Sequence, residues 1–387
     1  MYYDYIVIGA GFAGSVIAER IVNDLNKRVL IIEKRGHIGG NAFDCYDDHN
    51  LLIHRYGPHI FHTSNKEVWD YLSHFTDWEL YQHKVKAYLD GNIVPIPFNL
   101  NTLYKLFPSQ IANLLCEKLI DKFGFNGKVP ILRLMKENDD QLSSLADYIY
   151  KKLFLNYTRK QWGVLPQDLD PSVTGRVPIH ISRDNRYFQD LYQGIPKHGY
   201  SKLFENMLRH PNISILLNTN YKQILHINQN QEAYLFGAKF HGKIIYTGPI
   251  DYFFDYRFGH LPYRSLEFRF EHYNQDTFQE VGQVNYPNDY EFTRITEYKH
   301  LTGQQALTTT ISKEFPTKYI PEKNIPYYPI DQSDNRILYK RYHNESKKYE
   351  QLIFVGRLAE YHYYDMHAVV AKALKTYRNK VKKTIEF

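Results

Sequence analysis

The residues with the clearest chemical meaning stand near the start of the sequence. The apolar run Tyr5-Ile6-Val7-Ile8 leads straight into Gly9-Ala10-Gly11-Phe12-Ala13-Gly14, a G-x-G-x-x-G pattern. In such a turn Gly9 allows the sharp exit from a strand, Gly11 lets backbone approach a phosphate, and Gly14 lets the next helix lie close to the sheet. The helix N-terminus then offers free N–H groups and a positive dipole end to a pyrophosphate. A helical stretch follows from Phe12 to about Leu25, and a second apolar run, Val29-Leu30-Ile31-Ile32, ends at Glu33, 19 residues after Gly14. An acid at that distance accepts hydrogen bonds from a ribose. A glycine turn in an unrelated βαβ unit is the plain alternative.

Other chemistry-bearing residues are more scattered. Residues 164–186 combine Pro166, Pro171, Gly175 and Pro178 with Arg176, Arg183 and Arg186. This composition reads either as a surface connection or as a mobile basic loop that closes over an anion. His59 and His62 stand three apart, but no cysteine or neighbouring carboxylate completes a metal site around them.

Composition narrows the classes further. A chain of 387 residues is expected to form two or three structural units. No apolar run approaches the roughly 18 residues of a membrane span. The glycine motif begins too early, and with no basic segment before it, for the N-terminus to be a signal peptide. Cys45 and Cys116 are the only cysteines, too few for a disulfide framework. These features fit a soluble, cytoplasmic protein. The net charge of +6 is mild and not gathered into long basic runs, which argues against nucleic acid and leaves an anionic small substrate open. Tyrosine is abundant, at 35 residues. Most are expected to be structural, and a minority could line a pocket for sugars.

The elements that must position these groups follow from periodicity. Val85, Ala87 and Leu89 alternate before Asp90-Gly91, and Ile93-Val94 returns, which predicts a hairpin over 84–97. Residues 99–163 read as helical throughout. Ile111, Leu114, Leu115 and Leu119 are expected on one face, and Ala146, Ile149, Tyr150, Leu153, Phe154 and Tyr157 on another, with Gly163 as the stop. Short apolar runs at 213–217 and 243–246 suit further strands of the first unit, and 263–315 alternates as antiparallel strands do. The run Leu352-Ile353-Phe354-Val355-Gly356-Arg357, followed by a helical pattern from Met366 to Tyr377, returns the chain to the nucleotide unit.

With these pieces assembled, the chain resembles the bacterial UDP-galactopyranose mutases over essentially its full length. The resemblance rests on the glycine motif; on Glu33-Lys34-Arg35 with His37-Ile38-Gly39-Gly40-Asn41; and on Tyr56-Gly57-Pro58-His59-Ile60-Phe61-His62-Thr63. It continues through Tyr157-Thr158-Arg159-Lys160-Gln161-Trp162-Gly163, Tyr246-Thr247-Gly248-Pro249-Ile250-Asp251, Gly356-Arg357-Leu358-Ala359-Glu360-Tyr361 and Tyr363-Tyr364-Asp365-Met366-His367. It implies an isomerase that interconverts UDP-galactopyranose and UDP-galactofuranose with FAD, active in the reduced form. In the family the flavin N5 attacks the anomeric carbon, UDP leaves, and an opened iminium adduct recloses, with no net redox change. An external flavin reductant, a homodimer and a place in cell-surface glycan biosynthesis are implied in the same way.

The resemblance also implies site residues. Arg176 and Arg294 match a pair that clamps the diphosphate, and with His59, placed against the flavin, form the catalytic set. Arg264 matches a third arginine on the flavin side of the pocket. His83, Phe154, Tyr157, Thr158, Trp162, Tyr187, Asn285, Tyr328 and Tyr363 match further substrate positions. Cofactor contacts are expected from Gly9, Gly11, Ala13, Gly14, Glu33, Lys34, Asn41, His59, Ile60, Arg357, Tyr364, Asp365, Met366 and His367, with Asn220 and Tyr221 at the adenine end.

The expected fold is α/β: a discontinuous Rossmann-like FAD-binding domain (1–80, 195–250 and 340–387) with two insertions. These are a helical subdomain (98–165) and an antiparallel β-sheet substrate subdomain (81–97, 166–194 and 251–339) bearing the arginine loop near 166–182. Two other functions share parts of this pattern: an FAD-dependent oxidase or dehydrogenase of the amine-oxidase type, and a non-catalytic flavoprotein that binds nucleotide sugars.

Overall fold

The computed structural model describes residues 3–163, 177–330 and 332–383. Its centre is a five-stranded parallel sheet. From one edge to the other the strands are Ile213–Leu216, Val29–Ile32, Tyr5–Ile8, Lys243–Tyr246 and Leu352–Phe354. The continuous apolar runs have a simple cause: both faces of this sheet are covered. Val7, Val29, Ile31 and Ile245 pack under the helices Phe12–Leu25, Gly199–Leu208 and Met366–Thr376. On the opposite face Ile6, Ile8, Leu30, Ile32 and Ile244 meet Tyr221, Phe240 and the small antiparallel sheet formed by 225–240. The sheet therefore draws its strands from three separated parts of the chain.

The turn after the first strand takes the expected form. The Phe12–Leu25 helix begins directly after Gly11, which gives it no side-chain cap. Gly14 is required by packing: a Cβ there would stand 2.0 Å from the Gly9 carbonyl oxygen and 2.9 Å from Cγ1 of Val7.

A seven-stranded sheet forms the second unit, in the order Tyr328–Pro329, Tyr263–Tyr273, Thr309–Lys318, Arg294–Glu297, Gln283–Asn285, Val85–Leu89 and Asn92–Ile96. All neighbours are antiparallel except Gln283–Asn285 with Val85–Leu89. The Asp90-Gly91 turn has positive φ at both residues (49° and 82°), which matches the right-handed twist of a two-residue hairpin.

The helical block comprises Leu100–Leu106, Ser109–Phe123, Asp140–Ile149 and Asn156–Trp162 with a short turn at Ile131–Leu134. Three details depart from expectation. First, the buried stripe of Ser109–Phe123 is Ala112, Leu115, Cys116 and Leu119, while Ile111 and Leu114 are exposed. The small Ala112 and Cys116 complete an i, i+3, i+4, i+7 face, turned one position from the one that the larger side chains suggest. Second, a π-helical segment, Tyr150–Leu155, interrupts the helical phase. The expected stripe is therefore buried at Ala146 and Ile149 and only half-buried beyond them. Third, Lys128–Val129 is a short strand paired with Ile179–His180, so the block is not purely helical.

Candidate active site

The two units meet around one cavity. Asn41, His59 and Ile60 come from the nucleotide side, as do Arg357, Asp365, Met366 and His367. Phe154, Tyr157, Thr158 and Trp162 come from the helical block, Asn285, Arg294 and Tyr328 from the large sheet, and His83 from the segment leading into its Val85–Leu89 strand. Tyr187 and Tyr363 complete the set. Tyr157 and Gln161, like Thr158 and Trp162, are four residues apart, so a single helix face presents all four. Asp365, Met366 and His367 stand at the N-terminus of the 11-residue Met366–Thr376 helix, where backbone N–H groups favour an anion.

Arg294 is the dominant charge. Its Nε lies 3.1 Å from Oε1 of the buried Glu314, an ion pair without hydrogen-bond alignment, and that carboxylate accepts a hydrogen bond from Thr293. Burial works against the guanidinium charge, but the Glu314 carboxylate outweighs it and holds its pKa above the ordinary value. Among the described residues no protein acceptor takes the two terminal nitrogens, and neither is sealed from the cavity. A planar fork held from behind and open in front suits a phosphate or carboxylate. Beside it Tyr328 and Tyr363 stack with centroids 5.5 Å apart, and Trp162 packs at 5.6 Å and 6.1 Å from them. Burial raises the pKa of both Tyr157 and Tyr328, so their hydroxyls remain donors at neutral pH.

Arg357 braces this aromatic group. Its Nε and Nη2 donate to the Tyr364 carbonyl and its Nη1 to that of Tyr327, and its guanidinium lies 5.0 Å from the Tyr363 ring centroid. Tyr364 thus contributes through its backbone and does not line the cavity.

His59 donates from Nδ1 to the Gly57 carbonyl (2.8 Å), and its backbone N–H donates to Nδ1 of His54 (2.9 Å). Burial lowers the His59 pKa to about 3, with His54 and Arg357 adding to the effect. The ring is neutral, and its Nε2 is left as an acceptor. Burial also pushes His54 down to about 4 and His83 down to about 3. The folded pKa of each lies below the unfolded value near 6.5, so the unfolded chain binds more protons as pH falls through that range. Stability is therefore full above about pH 6.5 and falls toward pH 4, by up to about 1.4 kcal/mol per pH unit for each histidine. Thermal melting across pH 4.5–7.5 is expected to show this loss, with a shallower slope in His54→Gln. Identical slopes would remove His54 from the account.

A dinucleotide fits the glycine turn. Gly40 approaches Gly11 so closely that a Cβ on Gly40 would stand 2.9 Å from the Gly11 Cα. The two loops thus form a cradle of bare backbone at the helix N-terminus. Glu33 is buried at its edge, its Oε2 accepting from Ala10 N–H and its Oε1 from Arg35 N–H, both at 2.9 Å. Arg35 donates to Asn41 Oδ1, while its Nη1 is buried without an acceptor among the described residues. Such a group is satisfied by a bound anion. Ala13 faces Gly356 across the same cradle, and Lys34 is exposed beside it.

Several expected residues sit elsewhere. Arg264 does not line the cavity; its Nε and Nη2 donate to the carbonyls of Gln161 and Lys160, so it holds the end of the Asn156–Trp162 helix from behind. The Asn220 side chain caps the 221–223 turn and bonds to Tyr252, and Tyr221 packs among Tyr246, Tyr252 and Phe253, all outside the cavity. Arg176, with 164–176, lies outside the described residues.

The cavity also contains residues that sequence reasoning missed. Glu314 faces Arg294 as its cross-strand partner on the next strand, but the register between the two strands is set across an intervening loop and short helix and leaves no local signal. Gln283 donates to Asn285 (2.9 Å), and His62, stacked on Phe188, pairs with Asp190 at 2.8 Å. A histidine with its carboxylate 128 positions away is equally silent in sequence.

A parallel sheet with a dinucleotide cradle, joined to a second sheet across a cavity lined with arginine and tyrosine, defines a cofactor-dependent enzyme for an anionic substrate. Comparison with known proteins narrows the class. A family model described as UDP-galactopyranose mutase matches residues 152–363, and one described as an NAD(P)-binding Rossmann-like domain matches 7–75. The chain is 36% identical to the UDP-galactopyranose mutase of Mycoplasma genitalium, over 96% of this chain and 93% of that protein. It is 33% identical to the dTDP-fucopyranose mutase of Escherichia coli, over 96% of both. The crystal structure of a reduced UDP-galactopyranose mutase superposes with a TM-score of 0.73 at 13% identity, covering 99% of this chain and 94% of that one. The chain belongs to the UDP-galactopyranose mutase family.

Proposed function

We propose that this enzyme interconverts UDP-galactopyranose and UDP-galactofuranose with reduced FAD and no net redox change. The observation that carries the reading is Arg294: a buried guanidinium fixed by Glu314, open at both terminal nitrogens, beside a wall of tyrosine and tryptophan. When bound, reduced FAD supplies the nucleophile for the anomeric carbon. The chain's own part is electrostatic and positional. Arg294 and the hydroxyls of Tyr328 and Tyr363 hold the diphosphate as negative charge gathers on it, and Arg176 is assigned to the other side by its motif. Tyr157, Thr158, Phe154 and Tyr187 take the uridine end. Neutral His59 offers an acceptor to the cofactor without adding charge. Glu33 holds the ribose of the dinucleotide, and the Gly11–Gly40 cradle and Arg35 hold its pyrophosphate.

A homodimer, an external reductant, a cytoplasmic setting and a role in cell-surface glycan synthesis belong to the same proposal. Among the described residues no helix is long and apolar enough to cross a membrane. The match to a dTDP-fucopyranose mutase favours a second nucleotide sugar as an alternative substrate. The test is an anaerobic assay of dithionite-reduced enzyme with UDP-galactofuranose and, separately, dTDP-fucofuranose. Conversion of the first to its pyranose with the flavin still reduced is expected. Conversion of the second alone would transfer the assignment to the dTDP sugar; no conversion by the reduced enzyme, with reduction of the oxidised flavin by the sugar in a parallel anaerobic run, would indicate an oxidase or dehydrogenase.

A further inference from the structure

The Asn156–Trp162 helix has two working faces. One carries Tyr157, Thr158, Gln161 and Trp162 into the cavity. The other meets the loop 286–293, which joins the strands Gln283–Asn285 and Arg294–Glu297. The last residue before that loop is Asn285 and the first after it is Arg294; both line the cavity and are direct cross-strand partners.

Lys160 stands at the centre of this contact. Its Nζ stands within hydrogen-bond distance of four backbone carbonyls of the loop, which share its three protons: Tyr286 (2.6 Å), Asn288 (2.8 Å), Tyr290 (2.8 Å) and Phe292 (3.3 Å). Alternate carbonyls thus converge on one ammonium group. The contact extends one and two turns back, where Asn156 donates to the Asn288 side chain and Asn288 donates to the Lys152 carbonyl, both at 3.1 Å. Asn156 and Lys160, four apart on the helix, therefore dock on the loop together, and the Lys152 backbone carbonyl in the preceding π-helical segment extends the contact. Burial lowers the Lys160 pKa to about 8, against the pull of Asp289, so at neutral pH the group is mostly charged and offers three donors. Among the described residues no other side chain donates to these carbonyls, and an apolar residue at position 160 would leave those of Tyr286, Tyr290 and Phe292 without their side-chain donor.

We propose that Lys160 is a positioning residue for the nucleotide-sugar site: by gathering the 286–292 carbonyls onto the Asn156–Trp162 helix, it fixes Arg294 opposite Tyr157 and Trp162. Lys160 does not line the cavity and touches no substrate; it acts through the loop. The inference rests on the functional reading above for its ligand and on geometry alone for the clamp.

The experiment uses the full FAD-loaded chain, with UDP as the probe and Lys160→Met as the variant that keeps the stem and removes the donors. UDP affinity is measured in the wild type, Lys160→Met, Arg294→Ala and the double variant. Lys160→Met is expected to weaken UDP about 10-fold in the Arg294 background and less than about 2-fold in the Arg294→Ala background, the non-additivity of residues acting as a unit. Lys160→Arg is expected to recover part of the loss. Amide hydrogen exchange in 286–293 is expected to rise in Lys160→Met with little change in the parallel sheet. Equal losses in both backgrounds, or unchanged exchange in the loop, would overturn the clamp. If Lys160→Met does not retain FAD, Lys160→Gln is judged by the same two measurements. A wild-type enzyme that binds no UDP would overturn the functional reading instead, and the exchange measurement would still decide the clamp.

Discussion

Arg294→Ala is expected to lower kcat/KM for the UDP-sugar by about 10²–10³-fold, the range for removing one preorganised charge-stabilising donor, while the protein keeps its FAD. The cofactor cradle lies on the parallel sheet, and Arg294 comes from the other sheet, so cofactor content and turnover separate cleanly. Loss of the guanidinium also strands Glu314, a buried carboxylate that then keeps a hydrogen bond from Thr293 but no cation. Breaking a buried ion pair from one side costs about 3–5 kcal/mol. Arg294→Ala with Glu314→Gln is therefore expected to recover melting temperature without recovering turnover. Arg294→Lys retains charge but loses the planar fork and is expected to fall between wild type and alanine. Kinetics, flavin absorbance and thermal melting of the four proteins distinguish these effects. A near-wild-type rate in Arg294→Ala would remove the diphosphate clamp.

The readable parts of the sequence were those governed by neighbours along the chain. The strand–glycine–helix unit at residues 5–25, the Asp90-Gly91 hairpin and the closing strand Leu352–Phe354 all depend on local turn chemistry and short apolar runs. Resemblance then located most of the cavity wall, because the side chains concerned fall within short contiguous motifs. What was missed depends on tertiary contacts that no run of neighbouring residues encodes. Glu314 reaches Arg294 only through strand register, Asp190 reaches His62 across 128 positions, and Arg264 is drawn from the pocket to carbonyls at the end of a helix. The misplaced stripe at Ile111 and Leu114 has a different origin. Residue size suggested one face, but packing selected the face with Ala112 and Cys116, where a neighbouring helix can come close.

The glycine turn permits a sharper test of whether it is a cofactor site or only a tight turn. Gly14→Ala is expected to destabilise the fold itself, since its Cβ would meet the Gly9 carbonyl at 2.0 Å and Val7 at 2.9 Å, and neither the strand nor the helix can retreat without disrupting the parallel sheet. Overpacking of this kind costs about 1–3 kcal/mol or more. Gly11→Ala is different. Its Cβ would have as its nearest neighbour the Gly40 Cα, at 3.6 Å, an ordinary contact, and the Gly11 backbone has negative φ. The protein alone therefore accommodates alanine at position 11, whereas a pyrophosphate seated on the cradle would meet the new methyl group. Gly11→Ala is expected to fold with near-wild-type melting temperature as apoprotein and to bind FAD at least about 10-fold more weakly, a difference of about 1.4 kcal/mol. The comparison is decided by melting each apoprotein and titrating it with FAD. Equal FAD affinity in Gly11→Ala and wild type would mean that the cradle is a packing device and that the dinucleotide lies elsewhere. A Gly11→Ala apoprotein as unstable as Gly14→Ala would mean that both glycines serve the fold before they serve the ligand.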